Sequence, residues 1–508
     1  MKAKYLILLI ALIQTSTLLA KEFHVSKNGK DNNPGTFEAP FFSIQKAASV
    51  AQPGDIINVH EGVYRERINP PVGGTSDNNR ITYQAADGEN VIIKGSEIVK
   101  NWEYIMHDTW KVTLSNSYFG DFNPYTDIIH GEWYSTPMDG YDRHTGAVYL
   151  NERWLSEAAD LSKVLQPAEE ELFWFGMVDS QNTTLYAQFK EIDPNNELVE
   201  INVRQSIFYP EMPGRNYITV RGFKMLQAAT PWSGAMSEQI GLIGTHWSRG
   251  WIIEDNDISF SMNTGITLGR YELKVPMPPV TAEGFICSIE LASGNGWSKE
   301  KIGSHIVRNN RISHCEKNGI HGSLGGIFSI IEGNIICDIG AKGWISGTDL
   351  AGIKLLGSQD VLIKGNCIVN CGKGIWMDWM AQGTRISSNL CYNNIQQDFY
   401  AEVNHGPYIV DNNLFLSRCS VWDMSQGGAY VHNLMAGMLN MSPHSRKTPY
   451  HLAHSTEILG YHEILGGDNR FINNIFLSGY IGNSKQVNPE FETRAIYGQE
   501  YFGLKTYD

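Results

Sequence analysis

The sequence predicts an all-β protein built as a single-stranded parallel β-helix, and three observations carry that prediction. Short apolar runs fill most of the chain, with 42% hydrophobic residues and 50 glycines among 508, a composition that suits many brief strands joined by turns. Asparagines follow apolar runs at Asn256, Asn310, Asn334, Asn366, Asn389, Asn413, Asn433 and Asn474, at steps of 54, 24, 32, 23, 24, 20 and 41 residues. A Gly-Ile pair opens a further run at Gly265, Gly319, Gly352 and Gly374. Steps close to 24 residues fit one turn of a solenoid, and the longer ones contain the excursions YELKVPMPPV and SPHSRKTPYHLAHST. Stacked asparagine side chains can form amide ladders, so their expected role is structural.

Residues 1–20 read as a signal peptide: Lys2 and Lys4 precede the apolar run Tyr5 to Ile13, and Ala20 closes the segment. The run is too short to span a membrane, and Lys21 rather than a cysteine follows, so a periplasmic or secreted chain without a lipid anchor is expected. Residues 21–100 hold an N-terminal cap and the first rungs. There Ser43 is placed to cap a short helix, IQKAASVA, which Pro53-Gly54 stops. A helix at this point covers the first rung, whose open edge would otherwise recruit other chains.

Residues 101–200 break the short-strand rhythm and are rich in aromatics, among them Trp102, Trp110, Tyr125, Trp133 and Trp174. They read as an inserted β-rich subdomain whose rings mostly form its own core, with Trp110 and Trp133 as candidates to wall off one end of a sugar site. Residues 201–508 are the β-helix core. Aligning Ile320, Ile353, Ile375 and Phe399 places His321, Lys354, Trp376 and Tyr400 in one outward column, with Asp378 and Glu402 two residues further along.

Those two carboxylates carry the chemistry. Asp378 precedes Asn389 by 11 residues and Glu402 precedes Asn413 by 11, so the acids and the asparagines are each 24 apart. Matched spacing puts the acids on the same face of successive rungs, roughly 4.8 Å apart at the backbone. Glycosidases that retain anomeric configuration hold their two carboxyl groups about 5–5.5 Å apart, whereas inverting ones need about 6.5–9.5 Å. Either acid alone would read as a solvated outward side chain. Trp376 and Trp379 beside Asp378, and Tyr400, Asn404 and His405 beside Glu402, favour a sugar site instead. Lys354, one rung before Asp378, reads equally as a solvated lysine or as a group that contacts sugar or holds Asp378 ionised. Asp349 is a weaker candidate of the same kind. His444, Arg446, His451 and His454 lie in a polar loop that could overhang the site, with ordinary loop chemistry the better expectation for each.

The stretches WMDWMAQGTR and FYAEVNHGP closely resemble the paired motifs of the β-xylosidases of glycoside hydrolase family 120. The resemblance runs from about the mature N-terminus to the end of the chain. It implies a right-handed parallel β-helix, with Asp378 as nucleophile and Glu402 as acid/base. It also implies exo-acting release of xylose from β-xylosides and xylo-oligosaccharides by double displacement, chemistry for which no cofactor or metal is needed. The residue spacing supplies the pair, and the resemblance supplies the role of each member.

A net charge of −14 without a basic stripe argues against nucleic acid and mildly against polyanionic glycans, leaving a neutral glycoside as the expected partner. Whether the chain forms a homo-oligomer stays open. All seven cysteines lie between Cys287 and Cys419 with no zinc-type spacing; Cys337, Cys367 and Cys391 sit where neighbouring rungs carry apolar residues and read as small hydrophobes. Two other classes stay open at this point. A calcium-dependent polysaccharide lyase would use Lys354 or an arginine as base, and a non-catalytic glycan-binding solenoid would leave the matched acids to chance.

Overall fold

The computed structural model describes residues 20–137, 139–270, 281–347, 349–442, 444–466 and 468–477. The expected signal peptide up to residue 19 and the excursion at residues 271–280 lie outside the described residues, as does everything beyond residue 477. Among the described residues, three long parallel sheets hold 12, 11 and 8 strands; each central rung gives one strand to every sheet, and the rungs at the two ends give none to the third. This is the predicted solenoid.

Its interior is filled by columns of aliphatic side chains in strict register. The first sheet stacks Ile253, Val307, Ile331, Ile363, Ile386 and Val410, and the second stacks Ile258, Ile312, Ile336, Ile368, Cys391 and Phe415. The third stacks Ile266, Ile320, Ile353, Ile375, Phe399 and Val421, the register read from the Gly-Ile pairs. These residues are fully buried in one continuous core. Each contributes about 1.5–3 kcal/mol of burial, and the β-branched ones also pre-set the extended backbone.

The asparagine ladder runs through the turns between the first and second sheets. Asn389 is typical: its Nδ2 donates to Asn413 Oδ1 at 3.0 Å and to the Ile363 carbonyl at 3.1 Å, and its backbone N–H donates to Asn413 Oδ1 at 2.9 Å. The same pattern links Asn256 upward to Asn474. The residue before each ladder asparagine is in the left-handed region, from Asp255 (φ 57°) to Asn473 (φ 52°), which turns the chain sharply enough to aim the amide along the axis. All seven cysteines are free thiols; Cys315, Cys371 and Cys391 pack in the core, while Cys367 is half-buried.

Ser43 caps the N-terminal helix Ile44–Val50, accepting from the Lys46 N–H, and Ile44, Ala47 and Ala48 bury against the first rungs. The aromatic-rich segment forms two further sheets of four and five strands, mostly antiparallel, around its own core of Trp102, Tyr125, Trp174 and Phe189. It is tied to the solenoid through buried Glu200, which accepts from Lys94 Nζ at 2.8 Å and Arg65 at 2.5 Å. Here one expectation is corrected. Trp110 packs in the strand Thr109–Ser115 against Tyr104 and this separate core, so it does not wall off the site. Residues 131–135 of the same segment do reach the solenoid, where Tyr134 and Ser135 pair with Gly347 and Ser346. Trp133 stands 46% exposed there.

Candidate active site

The outward face of the third sheet is where the predicted column lies, and it is covered rather than solvated. His321 pairs in register with Lys354, Lys354 with Trp376 and Trp376 with Tyr400. Asp378 ends the strand Ile375–Asp378. Glu402 follows the strand Phe399–Ala401 and stays in the ladder through its N–H to the Met377 carbonyl at 2.9 Å. The acids therefore occupy adjacent rungs, which are spaced roughly 4.8 Å apart.

Three structures close over this face. On one side the helix Ala282–Gly294, capped by Thr281, brings Phe285 to within 5.2 Å of the Trp379 ring. Beside it an antiparallel hairpin, Lys447–His451 with Ile458–Glu463, is formed by the polar loop of the sequence. On the other side Trp232 is held by insertion residues: its indole N–H donates to the Glu132 carbonyl at 2.9 Å and its ring meets Tyr134 edge-on.

Beneath this cover the charged groups alternate in sign. Lys317 Nζ lies 3.2 Å from Asp349 Oδ2 and 4.0 Å from the centroid of the Trp232 ring. Lys354 Nζ bonds Asp349 Oδ1 and lies 3.2 Å from Asp378 Oδ2. Asp378 Oδ1 accepts the Trp379 backbone N–H at 2.8 Å. Lys354 is 1% exposed and Asp378 5%, so the reading of Lys354 as a solvated lysine is excluded. Burial alone would lower the Lys354 ammonium, but Asp349 and Asp378 outweigh it and hold it above its ordinary value. A lysine so held is in the wrong state for the base of a lyase. Burial likewise acts to raise Asp349, yet Lys354 and Lys317 keep that carboxyl well below the usual range.

The two acids are not equivalent. Burial, with the Asp349 charge, raises Asp378 above its ordinary value, against the pull of Lys354 and the Trp379 N–H, both of which favour its charged form. Glu402 is raised to about 7 by burial and the neighbouring Asp378 charge, against the weaker pull of Lys354, Arg446 and Lys373. Its Oε2 accepts the indole N–H of Trp376 at 3.1 Å. Both acids are raised, and the cation and backbone donor bonded to Asp378 favour it as the member of the pair that ionises first.

The remaining predicted residues divide. Trp376 is buried between Lys354 Nζ, 3.9 Å from its ring centroid, and Lys373 Nζ at 4.3 Å, so it supports Glu402 and offers no open sugar platform. Trp379 packs under the covering helix with Arg446 over its ring at 4.3 Å. His321 lies under Lys354, fully buried, with neither ring nitrogen hydrogen-bonded among the described residues, and burial keeps it neutral. Asn404 and His405 are corrections. Asn404 spends its amide on the backbone, donating to the Met377 carbonyl and accepting from Ala381 N–H, each at 2.8 Å. His405 turns away to the hairpin, its Nε2 2.8 Å from Thr448 Oγ1.

Sequence reasoning missed Lys317, Lys373 and Trp232. The signal for the lysines was present, because each precedes a Gly-Ile pair (Lys317-Asn-Gly-Ile, Lys373-Gly-Ile) and so enters the same sheet. Nothing in the sequence links Trp232 to Glu132. Among the described residues, no group of three or more His, Cys, Asp or Glu side chains is placed to hold a metal ion.

Comparison with known proteins agrees with this architecture. Residues 99–201 match the family model described as glycoside hydrolase 120, insertion domain, and residues 240–437 match the right handed beta helix region. Residues 27–70 match a model described only as a protein of unknown function. Among curated proteins, the uncharacterized protein YwoF of Bacillus subtilis is 33% identical over 131 residues, 22% of this chain and 28% of its own length. Pectate lyase PEL9 of Emericella nidulans is 36% identical over 83 residues, 16% of this chain and 20% of its own. The chain thus spans less than a third of either relative. Among solved structures, that of XylC in complex with xylose is 44% identical, covers 91% of this chain and 76% of that one, and superimposes with a TM-score of 0.84. Identity at that level over most of both chains, together with the insertion match, makes this chain a glycoside hydrolase of family 120.

Proposed function

We propose that the protein is an exo-acting β-xylosidase that releases xylose from xylo-oligosaccharides with retention of configuration. The observation that carries this reading is the unequal carboxyl pair on adjacent rungs, Asp378 held by Lys354 and Glu402 raised to about 7. The xylose-bound relative supports the choice of sugar. The cover over the site, formed by helix, hairpin and the Trp232 segment, suits a pocket that takes one chain end rather than a groove open at both.

In the first step an Asp378 oxygen forms a bond to the anomeric carbon as the bond to the leaving oxygen breaks, and the Glu402 proton passes to that oxygen. In the second, Glu402, now a carboxylate, takes a proton from water while the water oxygen displaces Asp378. Lys354 favours the ionised form of Asp378 that attacks, and Asp349, between two lysines, keeps Lys354 in place. The signal peptide expected at residues 1–20 supports a periplasmic or secreted location as part of this proposal.

The test is hydrolysis of nitrophenyl β-xyloside and xylobiose by the mature chain, with the first-formed anomer followed by proton NMR. Release of β-xylose first is expected. A folded protein that releases α-xylose first, or that cleaves only another glycoside, overturns the mechanism or the substrate respectively.

A further inference from the structure

Trp376 is held more firmly than a sugar platform would be. Its ring packs against Tyr400 one rung above with centroids 5.2 Å apart, and Tyr400 packs likewise against Trp422 at 5.2 Å, both pairs tilted by 32°. Trp422 is pinned in turn by its N–H to Ser442 Oγ at 2.9 Å. Lys354 and Lys373 lie over the Trp376 ring, and only 4% of the residue is exposed. Three rungs and two ammonium groups thus fix the direction of one indole N–H, and that N–H ends 3.1 Å from Glu402 Oε2.

We propose, building on the assignment of Glu402 as acid/base, that Trp376 positions it: the indole N–H reserves Oε2 as an acceptor, so Oε1 is the oxygen that carries the proton to the leaving group and takes it back from water. An indole nitrogen donates and cannot accept, so a proton on Oε2 would face another hydrogen. When Oε1 gives up its proton, the N–H bond becomes charge-assisted and shortens, which stabilises the carboxylate formed in the first step. Cations over the ring withdraw electron density from the indole and strengthen it as a donor. The other groups acting on Glu402 are Asp378, Lys354, Lys373, Arg446 and the Tyr400 phenol. The phenol donates to Met424 Sδ at 3.0 Å and also has a side-chain hydrogen-bonding interaction with Glu402. Among the described residues, the Trp376 N–H is directed at one named oxygen, Oε2, and the Tyr400→Phe control separates its effect from that of the phenol.

Trp376→Phe keeps a ring in the stack and deletes the N–H. With xylobiose, whose leaving group needs its proton, kcat/KM should fall about 10- to 100-fold, the value of a hydrogen bond to a charged group. With a dinitrophenyl xyloside, which needs little protonation, it should fall less than about 3-fold. Losing the donor disfavours the Glu402 carboxylate, so the alkaline limb of the kcat/KM profile should move up by about one pH unit. A role confined to packing would lower both substrates alike and leave the limb in place, and that result overturns the proposal. So does a limb that moves in Tyr400→Phe and not in Trp376→Phe.

Should Trp376→Phe fail to fold, the wild-type protein still decides. One indole N–H resonance should titrate with the kinetic alkaline limb, and its titration should vanish in Glu402→Gln. If no indole resonance follows the limb, Trp376 is not the donor. If Glu402→Gln itself keeps an unchanged alkaline limb, it is the assignment of Glu402 that fails.

Discussion

Two stacks of buried polar side chains climb the same rungs. Between the first and second sheets the ladder asparagines repeat one neutral group, and each amide donates to the next with the geometry of the one before. On the outward face of the third sheet, Lys317, Asp349, Lys354 and Asp378 alternate in sign, with His321 neutral below and Glu402 above. The ladder satisfies itself at every rung, so it stabilises register and has one protonation state. The ionic column pays desolvation at each member and is stable only through unlike neighbours, so removing or protonating one changes the rest. A stack of the first kind holds a solenoid together, and a stack of the second kind can move protons.

This contrast can be broken from either side. The largest effect is expected from Asp378→Ala, which removes the attacking oxygen and should lower kcat by about 10⁴-fold or more, measured with a dinitrophenyl xyloside, while circular dichroism stays that of the wild type. Lys354→Met comes next. It leaves Asp349 and Asp378 without their shared cation, at about 3–5 kcal/mol of stability in urea titration. It should also cost about 10²-fold in kcat/KM, since Asp378 then protonates more easily.

In the other stack Asn389→Ala orphans donors and acceptors on both adjacent rungs and should cost about 2–4 kcal/mol in the same titration. Its kinetic constants for active, folded protein should be those of the wild type; a drop in kcat would mean the ladder tunes the site and would erase the distinction. The smallest effect separates activity from stability at one residue. Glu402 is raised from its ordinary value to about 7, so the folded state binds the extra proton, and the stability this contributes is present in acid and lost as pH rises through about 7. Glu402→Gln should therefore melt above the wild type at alkaline pH and converge with it in acid, although it is nearly inactive on xylobiose. Equal melting temperatures across that range would mean Glu402 is not buried against Asp378.

The fold was legible because a solenoid writes its period into the chain: asparagines and Gly-Ile pairs recur once per rung, and one register places every core residue. The acid pair was legible for the same reason. Strand alternation gave Trp376, Asp378 and Glu402 the outward face, but it misled just beyond the strand ends. Met380 and Val403 take left-handed conformations (φ 64° and 54°), which reverse the alternation there and send Asn404 inward to the Met377 carbonyl and His405 to the hairpin. Trp110 was misplaced because aromatic content does not say which core a ring joins. The cover was legible only in part, as the polar loop of His444 to His454 that could overhang the site. The helix Ala282–Gly294 and the hairpin are excursions outside the repeat, and their docking on Trp379 depends on contacts far apart in sequence.

The most direct test of the paired-carboxylate account is to trap the covalent intermediate. A xyloside fluorinated beside its anomeric carbon and bearing a good leaving group slows the second step more than the first, so the sugar should accumulate on the nucleophile. After proteolysis and tandem mass spectrometry, the account predicts the label on Asp378, with none in Asp378→Ala. A label on Glu402 or Asp349, or turnover of a natural substrate with no trapped species and inverted product, would contradict it.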